Sequence, residues 1–80
     1  MPATHLLSDV RNMPVSAAYD KLVRQDGFTN VTWMLNGQNV TERVGQGQYG
    51  DRDVANEQPE DEIGQDVELD FAITCTISGP

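Results

Sequence analysis

Eighty residues, a formal net charge of −8 and a single cysteine bound what this chain can be. The length suits one domain over residues 1–80 with a thin stability margin, and lone Cys75 leaves no partner for an internal disulfide or a cysteine-based zinc site. No apolar run approaches the roughly 20 residues that cross a bilayer, no basic-then-apolar leader is present, and the acidity disfavours direct contact with nucleic acid or anionic lipid.

Thr4 to Met13 reads as a short helix capped by Thr4, with Leu6, Leu7 and Val10 inward; a short strand is the alternative. Pro14 to Gln25 reads as a helix. Val15, Ala18, Tyr19, Leu22 and Val23 stack on one face at i, i+3, i+4, i+7 and i+8. Pro14 suits its first turn and Gly27 the position past its end, and Asp20 and Arg24 are spaced to pair on the wet side.

Phe28 to Val44 reads as a β-hairpin. Val31, Trp33 and Leu35 share one face of the first strand. Asn36-Gly37 then supplies the positive φ angles of a type I′ turn, and Gln38 to Val44 forms a more polar return strand. Gly45 to Gln65 carries Gly45, Gly47, Gly50, Pro59 and Gly64 among glutamines and acids, and reads as a long acidic loop. The last element is a strand, because Val67, Leu69, Phe71, Ile73, Cys75 and Ile77 alternate without a break against Glu68, Asp70, Ala72, Thr74, Thr76 and Ser78. The expected fold class is α+β: an N-terminal helix, or two short helices, packed on a three-stranded antiparallel sheet, with the long loop before the last strand.

The charge is not spread evenly. Asp51, Asp53, Glu57, Glu60, Asp61, Glu62, Asp66, Glu68 and Asp70 face a single base, Arg52, within residues 51–70. The other four acids (Asp9, Asp20, Asp26, Glu42) and four bases (Arg11, Lys21, Arg24, Arg43) cancel, so all of the net charge lies in one quarter of the chain. Its plainest role is a solvated loop that keeps a small protein soluble. A sharper role is an interaction surface for a basic partner. Carboxylates on one face of a strand recur every ~6.6–6.8 Å, twice the rise per residue, so Asp66, Glu68 and Asp70 would form a row comparable to successive phosphates of a nucleic acid. Calcium fits less well. Asp51 and Asp53 begin like an EF-hand loop, but Asn56 stands where glycine is required and no long helices flank it.

Other candidate chemistry is sparse. His5, near a chain end, is expected to be solvated and without a catalytic partner. Cys75, between Ile73 and Ile77, is expected to be a buried packing thiol. Trp33 is expected in the core against Tyr19 and Leu22. Asn30-Val31-Thr32 and Asn39-Val40-Thr41 fit the glycosylation pattern but lack a secretory context.

The sequence therefore points to a non-enzymatic protein-binding module without metal or cofactor. Its nine acids would dock on the basic surface of another protein, and the most concrete version is a nucleic-acid mimic. Such a mimic would inhibit a nucleic-acid-handling complex, as anti-defence proteins of phages and mobile elements do. The alternative is an assembly subunit of a virion or multi-protein complex, self-associating through strand edges. Either would work in the cytoplasm, that of the host or the virion itself if the source is viral.

Overall fold

The computed structural model describes residues 3–79 and holds six strands in two sheets, with one helical segment of two consecutive parts before the second strand. β1 (Thr4–Leu6) pairs antiparallel with β5 (Asp66–Glu68) in a small sheet. The main sheet has the order β3-β2-β6-β4, built from β2 (Val31–Leu35), β3 (Gln38–Asn39), β4 (Val54–Gln58) and β6 (Ile73–Ile77). The two central strands, β2 and β6, run parallel, with Val31 opposite Ile73 and Leu35 opposite Ile77. The α+β class holds, but the three-stranded antiparallel sheet is corrected to a four-stranded mixed one plus a two-stranded ribbon.

The helix α1 (Val15–Tyr19) continues without a break as a wider π-helical turn over Asp20–Gln25. Val15, Ala18 and Leu22 are buried on the predicted face, Tyr19 and Val23 are half-buried, and Arg24 Nε lies 3.5 Å from Asp20 as the spacing requires. Pro14 stands just before the helix, with ψ at 143°. At the far end Asp26 N–H donates to Lys21 O and Phe28 N–H to Leu22 O, spans of five and six residues that match the widened turn. Gly27, at φ +83°, makes the reversal between them.

Two local signals place the hairpin. Asn36 and Gly37 have φ of 51° and 80°, as a type I′ turn needs, and Leu35 sits opposite Gln38. The predicted return strand stops after two residues. Asn39 Oδ1 accepts the Thr41 N–H at 3.0 Å and the Thr41 hydroxyl at 2.7 Å, which turns the chain into the short helix α2 (Thr41–Gly45). Thr41 Oγ1 in turn accepts the Trp33 N–H at 2.9 Å and takes the place of a strand neighbour.

Three further expectations are corrected. Residues 4–6 form β1 rather than a helix; Leu7 and Val10 are buried as predicted, but Leu6 faces solvent. The 45–65 segment is not one loop, since it holds β4 and a 3₁₀ turn at Glu60–Glu62. The long C-terminal strand is two strands in different sheets. Phe71 N–H turns back onto Glu68 O, while Leu69 O accepts from the Thr29 N–H and hydroxyl, and Asp70 O accepts from Asn30 Nδ2. These bonds hold the backbone at 69–70 away from a straight ladder while leaving the alternation of side chains intact.

The core is one cluster. Trp33, Leu35, Ile73, Cys75 and Ile77 on the inner face of the main sheet meet Val15, Ala18 and Leu22 of the helical segment, closed by Leu7, Val10, Phe28, Val40, Val44 and Val54. Trp33 and Cys75 are buried as predicted, and the Trp33 ring lies 6.2 Å from that of Tyr19. Among the described residues no helix is long and apolar enough to cross a membrane.

Candidate acidic docking surface

The nine acids of residues 51–70 fall into separate places. Asp51 and Asp53 lead into β4. Both are exposed, and the Asp53 backbone is pinned by accepting the Ser78 N–H at 2.9 Å and hydroxyl at 3.0 Å. Glu60 and Asp61 are exposed on the 3₁₀ turn at the other end of β4, about 17 Å away along a five-residue strand. Glu62, on the same turn, is half-buried. Asp66 and Glu68 project from the outer face of β5, cross-strand from Leu6 and Thr4, while Val67 points inward opposite His5. Asp70 is exposed in the turn that follows. The predicted row of three carboxylates on one strand is thus a pair on β5, with the third displaced into a turn.

Glu57 does not belong to this surface. It is fully buried, and the reason is a β-bulge. Val54 faces inward opposite Ile77, and the register shifts between Val54 and Asn56, so Glu57 rather than Asn56 or Gln58 turns toward Cys75. Its Oε1 accepts the Val10 N–H at 2.9 Å, whereas Oε2 is buried without a partner among the described residues. Burial raises its pKa above the ordinary carboxylate value, against a smaller lowering by the Val10 N–H.

Among the described residues none of these exposed acids takes part in an ion pair. The ion pairs among the described residues are Arg11–Asp9 at 2.9 Å, Lys21–Asp26 at 3.1 Å and Arg24–Asp20 at 3.5 Å, and His5 Nε2 lies 3.4 Å from Asp26 Oδ1. Every acid in them lies outside residues 51–70. Arg11 is held by a fork of bonds that brings the Asp9 pKa down to about 2. The remaining two bases are turned to other tasks. Arg43 donates to the Tyr49 hydroxyl at 3.3 Å, and Arg52 lies 5.8 Å from the Tyr49 ring centre and donates to Ser78 O.

One cluster escaped the sequence reading. Asp26 is buried, and its Oδ1 meets both Lys21 Nζ and His5 Nε2. His5 is not loose at a chain end. Its Nδ1–H donates to Leu6 O at 2.8 Å and its ring stands edge-on to Phe28. Together these contacts tie β1 to the helical segment. The five-residue step from Lys21 to Asp26 is a pairing distance only because the helix widens there, and no sequence period marks that widening.

For nucleophilic chemistry the site offers little. Burial pushes the Cys75 pKa far above the ordinary thiol value, with the field of Glu57 adding to the effect, so the reactive thiolate is suppressed. Among the described residues no group of three or more His, Cys, Asp or Glu side chains is arranged to hold a metal ion. Comparison with family models, with curated proteins and with solved structures returned no match.

Proposed function

We propose that the chain is a non-enzymatic binding module whose acidic edge docks on the basic surface of another protein. The partner class that fits best is a nucleic-acid-handling complex, with the chain imitating its nucleic acid as an inhibitor from a phage or mobile element would. The observation that carries this reading is the segregation of charge. The exposed carboxylates Asp51, Asp53, Glu60, Asp61, Asp66, Glu68 and Asp70 have no ion pair among the described residues, while three of the five bases are tied to acids elsewhere. Such a face steers association with a basic partner and weakens as salt is raised.

The test is capture from host lysate with the native chain and with a variant carrying Asn or Gln at 60, 61, 62, 66, 68 and 70. Retention of a nucleic-acid-handling complex by the native chain alone, lost progressively between low and physiological salt, supports the reading. Equal retention by both baits, or affinity indifferent to salt, sinks it.

A second reading, an assembly subunit of a virion or multi-protein complex, draws on Leu6. This is the exposed large hydrophobic side chain among the described residues, standing cross-strand from Asp66. Defined oligomers in sedimentation runs, dissolved by Leu6→Ser, would favour it over the first.

A further inference from the structure

We propose that the outer edge of β2 accepts an extended basic segment of the partner as an added strand, with one apolar side chain seated in the cleft beside it. This rests on the reading of the chain as an acidic docking module and adds a main-chain contact on the β2 side of the main sheet, separated from β4 by β6.

The parallel pairing of β2 with β6 decides which backbone groups face outward. Ile73 N–H donates to Asn30 O at 3.0 Å, so the backbone groups of residues 30, 32 and 34 turn toward β6 and those of 31, 33 and 35 toward the outer edge. Leu35 is paired there with Gln38 of β3. Trp33 is satisfied as well, since its N–H donates to Thr41 Oγ1 and its carbonyl accepts the Val40 N–H at 2.8 Å. β3 then ends, and the N–H and C=O of Val31 meet no partner among the described residues. An unpaired donor and acceptor on a strand edge are the template for adding a strand.

That edge borders an apolar cleft of about 380 Å³, lined chiefly by Tyr19, Val23, Phe28, Val31, Trp33 and Thr41. The volume is within the range of formed ligand pockets. Trp33, which also lines the cleft, is itself fully buried, and its indole Nε1 has no acceptor among the described residues. A peptide strand beside Val31 would bring an acceptor and a donor to its open N–H and C=O and a side chain to the cleft.

Charge selects the occupant. Asp70 adjoins one end of the edge, where its carbonyl accepts from Asn30 Nδ2 at 3.3 Å, and Glu42 follows Thr41 at the other. Both carboxylates are exposed and free of ion pairs among the described residues. Arg24, 5.9 Å from the ring centre of the lining residue Tyr19, is held by Asp20 at 3.5 Å. Lysine or arginine side chains flanking an apolar residue on the incoming strand would meet Asp70 and Glu42.

The probe is a blocked peptide alternating lysine with valine, leucine or phenylalanine, titrated into the isotope-labelled full chain at low salt. The expected result is a shift of the Val31 amide and Trp33 indole resonances, with amide exchange at Val31 slowed tenfold or more. The same peptide N-methylated along one edge should bind at least tenfold more weakly, since its donors are gone. Perturbation confined to Asp66, Glu68 and Asp70, unaffected by N-methylation, would overturn the added strand while leaving acidic docking intact. Equal protection of Val31 by a glutamate–valine peptide would overturn the choice of a basic segment. Absence of any perturbation by all three basic peptides would overturn the proposal outright. Loss of lysate capture by the neutralised variant is read separately and judges the acidic surface alone.

Discussion

At the scale of single residues, Glu57 is where charge and burial conflict. Its folded-state pKa is raised, so the folded chain holds the proton more tightly than the unfolded chain does. Its contribution is therefore most favourable below its ordinary value of 4.5 and is lost as pH rises through the folded-state value. Glu57→Gln keeps an acceptor for the Val10 N–H without the ionisation, and should remove that slope. Urea unfolding at stepped pH is expected to show the variant gaining on the native chain above pH 4.5, by about 1.4 kcal/mol for each unit of raised pKa that the pH has passed. Glu57→Ala is expected to destabilise by about 2–4 kcal/mol below pH 4.5, through the orphaned Val10 N–H and the space left beside Cys75, and by less as pH rises. A native chain no less stable at pH 7 than Glu57→Gln would show that the carboxylate finds a partner beyond those described.

Elements show which kinds of information are local. The helix over 14–25 was legible because its face is written at a single period, and the hairpin because Asn36-Gly37 dictates its own turn. The end of the helix rests on Gly27, and an added Cβ there would meet Leu69 Cδ1 at 3.9 Å, an ordinary contact. Gly27→Ala should consequently cost about 1 kcal/mol, from the positive φ alone, as read by thermal or urea unfolding. A loss of several kcal/mol would mean that the neighbourhood is tighter than the Cβ position shows.

Other elements were not legible, for reasons that lie far away in the chain. β4 was hidden because its bulge breaks the alternation that marks a strand and sends Val54 and Glu57 inward together. The division of residues 67–78 into β5 and β6 depends on Thr29 and Asn30, some forty residues earlier, capturing the carbonyls of Leu69 and Asp70. The candidate site followed the same rule. Exposure of the acids could be read from their polar surroundings, whereas the removal of Glu57 and the pairing of His5 with Asp26 required the register of β4 and the path of β1.

For the molecule as a whole, net charge sets a condition on stability. A surplus of −8 concentrated in residues 51–70 repels itself, and the repulsion is strongest when ions are scarce. The melting temperature is expected to rise between about 10 mM and 150 mM salt, where the screening length falls to about 8 Å. The variant neutralised at 60, 61, 62, 66, 68 and 70 should melt higher than the native chain at low salt and respond less to added salt. A native chain indifferent to salt would show that the acids are too far apart to repel.

The place of β6 in the middle of the main sheet has a kinetic consequence. It separates β2 from β4, yet it follows both in the chain, and its partner β2 lies 42 positions upstream. Until residues 73–77 have been synthesised and released, no β2–β6 or β4–β6 ladder can form, and the inner faces of Trp33 and Val54 lack their cover. Formation of the main sheet thus waits on residues 73–77 and is governed by one long loop closure, slower than helices of similar size would manage. During that interval the nascent chain displays two unpaired strands, and β4 lies within the acidic segment 51–70, where like charges hinder the approach of other chains.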